Sequence, residues 1–202
     1  MRGPQEAIRR HTPVRVGGSE LLAAFLDRAV RLEATRFNVL SPYVDDAVFA
    51  DAAVQGAWRR LLTTAQTTIV VRTRRSADAV LRSVPAGAQT PRVLINRRLH
   101  AKVLVARRND SAVALIGSQN LTGAALRTSE ELGLLVDPAA SPQHRELVLR
   151  LCDVAEGFAR RAARSTAGDP ARSDDIPSRP ERRPVAAGVD ACRSPPNRPS
   201  VR

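Results

Sequence analysis

Lysine is almost missing from this chain. Of its 32 basic side chains 31 are arginine, and the one ammonium is Lys102. Aromatic residues are scarce too, at 3%, so Leu, Val and Ala must fill the core and few rings are left for bases to stack on. Two cysteines, Cys152 and Cys192, make no disulfide framework, so a reducing compartment, the cytoplasm, is expected. No apolar stretch reaches membrane-spanning length. The opening "MRGPQEAIRRHTP" has no apolar core of the kind a secretory signal needs. Acidic residues fall short of basic ones by 20 to 32, which leaves a net charge of +12 and points to a polyanionic partner or substrate.

What is present is enough for one domain: 202 residues, 43% of them hydrophobic. Residues 166 to 202 hold seven prolines and seven arginines without apolar periodicity, which predicts a disordered tail. Residues 1 to 18 read as a flexible N-terminal segment. The folded domain is therefore expected over 19 to 165. Within it, "SELLAAFLDRAVRLEATR" places Leu22, Phe25, Leu26, Ala29 and Val30 on one helical face, with Ser19 set to cap. "FNVLSPYV", "TTIVVR", "RVLI", "LHAKVLVA", "AVALIG" and "ELGLLV" read as strands. "AVFADAAVQGAWRRLLTTA", "SADAVLRSV" and a segment opening at Ser141–Pro142 and running to about Arg164 read as helices. Strands alternating with helices, followed by a hairpin, predict an α/β sandwich with a mixed sheet.

Chemistry gathers in the hairpin. In "LHAKVLVA" the period of two puts His100 and Lys102 on one face and Leu99, Ala101, Val103 and Val105 on the other, toward the core. The turn "RRNDS" sends the chain back through "AVALIG", which delivers "GSQNLTG" beside His100. Gly117 permits close backbone approach, and Ser118 and Asn120 offer donors to an anion. Glu131 opens the next strand with a carboxylate able to hold an imidazole in one tautomer. Imidazole, ammonium and amide around one point suit phosphoryl chemistry. The first can attack phosphorus while the other two neutralise non-bridging oxygens. A compact three-donor ammonium fits such a pocket better than a planar guanidinium.

"LHAKVLVA…ALIGSQNLTGAALRTSEELGLLV" resembles the phospholipase D superfamily, with its His-x-Lys motif followed by Gly-Ser-x-Asn. "FNVLSPYVDD" resembles the early strand of that fold. The likeness spans roughly residues 20 to 160. It implies a phospholipase D-like α-β-α sandwich and a covalent phosphohistidine mechanism without metal or other cofactor. It also implies roles. His100 would be the nucleophile, Lys102 and Asn120 the phosphate binders, Ser118 a supporting hydroxyl, and Glu131 the partner that orients His100. Two positions depart from the pattern. The family's aspartate five residues after the lysine falls on Arg107, although Asp110 keeps the six-residue gap before Gly117, and Ser129 stands where an asparagine is common. The motif occurs once, because His11 and His144 have no lysine two residues on. Cleavage needs a second group to protonate the leaving oxygen, and single-motif members pair about a two-fold, so a homodimer with a shared site is expected.

Residues 59 to 108 hold twelve Arg or Lys against one acid, Asp78, nearly the whole of the net charge. Arg72, Arg74, Arg75, Arg97 and Arg98 are the expected nucleic-acid contacts on a positive approach to the site. The leading expectation is a metal-independent phosphodiesterase acting on nucleic acid. The alternatives are hydrolysis of phospholipid headgroups and a catalytically degenerate nucleic-acid-binding module.

Overall fold

The structure, a computed structural model, describes residues 14–137 and 142–167. Its first helix, α1 (Glu20–Arg31), buries Leu21, Leu22, Phe25, Leu26 and Ala29. Ser19 occupies the cap position but makes no side-chain bond there; the Glu20 carboxylate accepts from Gly18 N–H at 3.1 Å. The helix expected across residues 47 to 65 is two helices, α2 (Asp46–Ala50) and α3 (Ala52–Thr64). Asp51 breaks it: its backbone is extended and its carboxylate accepts from Ala53 N–H, so one residue ends α2 and caps α3. Asp45 caps α2, Thr73 caps α4 (Arg74–Arg82), and Thr122 caps the short α5 (Gly123–Arg127). The last helix, α6, runs Pro142–Ala167.

Among the described residues seven strands form one sheet: β1 (Val14–Gly17), β2 (Arg36–Leu40), β3 (Gln66–Val71), β4 (Arg92–Ile95), β5 (Val103–Arg108), β6 (Ser111–Gly117) and β7 (Gly133–Val136). Their order is β1-β7-β6-β5-β2-β3-β4. β2, β3 and β4 are parallel, and every other neighbour pair is antiparallel. The fold class is thus the expected α/β sandwich on a mixed sheet. β1 was not expected, since residues 1 to 18 read as flexible. Four residues carry too little pattern alone, and it is the ladder with β7, Val14 opposite Val136, that fixes them. The remaining residues of that segment, 1–13, and 168–202 of the expected tail lie outside the described residues.

Helices cover both faces of the sheet. One core, against α1, α2 and α3, gathers most of the few aromatic rings. Phe37 meets Trp58 edge-on at 5.6 Å, and Phe49 lies 4.7 Å from Trp58, which makes Trp58 a core residue. The other core lies under α6 and is built of Leu, Val and Ala around Cys152. Burial pushes the Cys152 thiol up to about 11, so this free cysteine is inert packing rather than a nucleophile. Among the described residues no helix is long and apolar enough to cross a membrane.

Candidate phosphoryl site at the sheet rim

β2 is where the sheet changes direction, with parallel β3 on one side and antiparallel β5 on the other. Crevices outside the carboxyl ends of parallel strands at such a switch point are where ligands bind in open α/β sheets. The carboxyl ends of β2, β3, β4 and β6 and the amino end of β5 all lie on this rim, because Leu40 pairs with both Val70 and Val103, and Val103 pairs with Ile116.

The motif residues arrive there from three segments. His100 and Lys102 precede β5, which starts at Val103 and not at Leu99 as expected. A turn, Leu99 N–H to Asn96 O at 2.9 Å, occupies the expected strand start. The alternation still holds: Leu99, Val103 and Val105 enter the α6 core. On the other parity Leu104 and Ala106 are buried as well, in the aromatic core. The site therefore sits at the sheet's end and not on an open face. His100 is exposed, and its ring has no hydrogen-bond partner among the described residues. Lys102 is half-buried, and its Nζ donates to the His100 carbonyl at 3.2 Å.

Gly117 N–H donates to the Lys102 carbonyl at 3.3 Å, which seats the "GSQNLTG" loop against the His-x-Lys segment. Glycine is required here. A Cβ would stand 2.5 Å from Leu132 O and 2.8 Å from Gly133 Cα, both backbone atoms that cannot swing away. Gly117→Ala is expected to cost about 1–3 kcal/mol of stability by prising β6 from β7. An unchanged urea midpoint would show that the ladder yields freely. Past the glycine, Ser118 is bound on three sides. Its N–H donates to Leu132 O at 2.9 Å, its Oγ accepts from Leu132 N–H at 3.0 Å, and its hydroxyl donates to the Glu131 carboxylate. Glu131 thus holds Ser118, and no bond joins it to His100.

Asn120 Oδ1 is buried without a hydrogen-bond partner. Leaving such an atom unpaired costs about 1–3 kcal/mol, a cost met at sites where a ligand or water supplies the partner. The next residue is fixed by β2's extension. Leu121 N–H donates to Ser41 Oγ at 3.1 Å and Leu121 O accepts from Asp45 N–H at 3.0 Å. Asp45 Oδ1 also accepts from Val48 N–H at 3.2 Å and Gly123 N–H at 3.0 Å. Ser41 and Asp45 were not singled out from sequence. Their partners Leu121 and Gly123 lie some eighty positions along the chain, beyond the reach of local patterning.

Asp110 is not brought to this rim. It lies on the β5–β6 turn, at the far end of the hairpin, where Arg145 pairs with its carboxylate at 3.3 Å and donates to its carbonyl at 3.2 Å. Arg107 is at that end too, its Nε donating to Asn109 O at 2.7 Å. The departure from the aspartate pattern therefore falls at the turn end of the hairpin, away from His100. The five expected nucleic-acid arginines do share the rim. Arg72 follows β3, Arg74 and Arg75 open α4, and Arg97 and Arg98 lie in the turn before His100. Arg74 pairs with Asp78 at 3.2 Å. Elsewhere in the basic segment, Arg82 and Arg108 are paired to Asp46 and Glu33. The charge is thus partly neutralised away from the rim. Among the described residues no three His, Cys, Asp or Glu side chains are grouped so as to hold a metal ion. A groove of about 510 Å³ between α2, α3 and the segment after α4, lined by Asp46, Trp58, Arg59 and Arg82 among others, contains none of the motif residues.

No family model and no curated protein matches the chain. Solved structures do. A phospholipase D family member, Nuc from Salmonella typhimurium, is 19% identical with a TM-score of 0.47, over 71% of this chain and 93% of its own. NucT from Helicobacter pylori is 13% identical with a TM-score of 0.46, over 75% of this chain and 96% of its own. Polyphosphate kinase from Porphyromonas gingivalis is 13% identical with a TM-score of 0.49, over 77% of this chain and 28% of its own.

Proposed function

We propose that this chain is a phospholipase D-like phosphodiesterase that hydrolyses the backbone of nucleic acid in the cytoplasm, as a homodimer whose two copies share one reaction centre. The observation that carries this reading is the junction at Lys102. There the backbone bond from Gly117 sets a half-buried ammonium, an exposed imidazole and the loop that carries the Asn120 amide at one rim.

In the reaction, a ring nitrogen of His100 attacks phosphorus, and the P–O bond to the leaving oxygen breaks. That oxygen takes a proton from His100 of the second copy, and a phosphohistidine remains. Water then attacks phosphorus, gives its proton back to the second imidazole, and restores His100. Lys102 Nζ and the Asn120 amide N–H hold the two non-bridging oxygens as charge builds on them. Glu131, through Ser118, keeps the loop that carries Asn120 in register.

An ammonium and an amide here do the work that a Lewis acid does elsewhere, so turnover is expected to persist in EDTA. The test is incubation of the purified chain with labelled DNA, RNA and phosphatidylcholine, with EDTA present throughout. Cleavage of nucleic acid alone supports the reading, and vanadate or tungstate should inhibit it by filling the oxyanion positions. Release of choline alone would move the substrate to lipid. Activity that EDTA abolishes and magnesium or zinc restores would overturn the metal-free mechanism.

A further inference from the structure

The chain has one tyrosine, Tyr43, and it stands on the same rim as His100. It lies three residues beyond Leu40, whose ladder partner Val103 follows His100 by three. The two residues thus leave adjoining strands in the same direction. Tyr43 is 46% exposed, whereas the chain's tryptophan is buried in the core. An exposed ring costs apolar hydration, and here its backbone is fixed on every side. Pro42 O accepts from Arg72 N–H at 3.0 Å, Tyr43 O accepts from the fully buried Ser41 hydroxyl at 2.9 Å, and Val44 N–H donates to buried Ser76 Oγ at 3.0 Å. Val44 bridges to Leu121, next to Asn120. The ring is held too, with the Arg72 guanidinium over it at 5.9 Å from the centroid and donating to its hydroxyl at 3.4 Å.

An exposed aromatic ring, locked by its neighbours, backed by a guanidinium and tied to the loop of a phosphate-binding amide, is a platform for a base. We propose that Tyr43 stacks an unpaired nucleobase of the substrate, with Arg72 beside it, so that the site takes single-stranded rather than duplex nucleic acid. This rests on the phosphodiesterase reading for the site it serves. A base within a duplex is already stacked on its neighbours, and both its faces are hidden. An unpaired base has a face to offer, and stacking on an aromatic side chain is tolerant of sequence.

The experiment compares binding, not turnover, in a His100→Ala background of the full chain. Fluorescence anisotropy would be read on a labelled oligothymidylate, on an abasic backbone of equal length, and on a blunt-ended two-strand duplex. Tyr43→Ala is expected to weaken oligothymidylate binding about tenfold, within the range for loss of one stacked base. It should leave the abasic strand and the duplex unchanged, and Tyr43→Phe should bind as the parent does. Equal loss on the abasic strand, or no loss on oligothymidylate, would overturn the proposal. A chain that cleaves nothing with His100 intact would remove the phosphodiesterase reading alone, because the binding comparison does not use that histidine.

Discussion

His100→Ala is expected to abolish cleavage, with a fall in rate of at least about 10⁴-fold, the scale seen when a covalent nucleophile is removed. The remaining ammonium and amide would still bind a phosphodiester, but no bond to phosphorus could form. The fold should not respond. The His100 ring is exposed with no hydrogen-bond partner among the described residues, while adjacent Leu99 is fully buried and holds the segment in place. An unchanged melting temperature beside lost activity is therefore the expected pair of results. Rapid quenching of the unmodified protein should trap an acid-labile phosphoramidate that the variant lacks. Mixed dimers sharpen the test, since the proposed reaction draws its attacking and proton-donating imidazoles from different copies. One wild-type and one His100→Ala chain should together be inactive. Full activity per wild-type chain in such dimers would rule out the two-histidine reaction.

Sequence patterning went far where a motif has its own local chemistry, and stopped where distant segments decide. His100, Lys102, Ser118 and Asn120 could be placed together because the two flanking stretches form one hairpin. Its ladder, from Val103 opposite Ile116 to Arg108 opposite Ser111, was implied by the turn between them. The start of β5 was not legible. With both faces of the sheet covered, Leu104 and Val105 are equally buried, and alternation no longer marks where a strand begins. Asp51 looked like one polar residue in a continuing helix, and its cap geometry appears only in three dimensions. Asp110 shows the limit of counting. Its spacing to Gly117 matches the motif, yet that spacing runs the length of β6 and leaves it beside Arg145. Glu131 was expected at His100 and is bonded to Ser118, a choice between neighbours that no spacing encodes.

Lys102→Arg keeps the charge and is nonetheless expected to be severe. Lys102 is half-buried, and its Nζ reaches back to the His100 carbonyl at 3.2 Å, so the ammonium is held close to the backbone of the proposed nucleophile. A guanidinium is planar and larger, with its charge spread over a fork of donors. It would have to place that fork where one nitrogen now meets the His100 carbonyl. Misplacing one donor to a developing oxyanion typically costs about 10²- to 10³-fold in kcat, roughly 3 to 4 kcal/mol. Ground-state attraction for a polyanion depends mostly on net charge, so KM and the salt dependence of binding should hardly change. A loss confined to kcat is the signature of a donor that matters in the transition state. A rise in KM with kcat intact would make Lys102 a general electrostatic contact, which any of the 31 arginines could supply. Near-wild-type values of both would make the lone lysine an accident of composition.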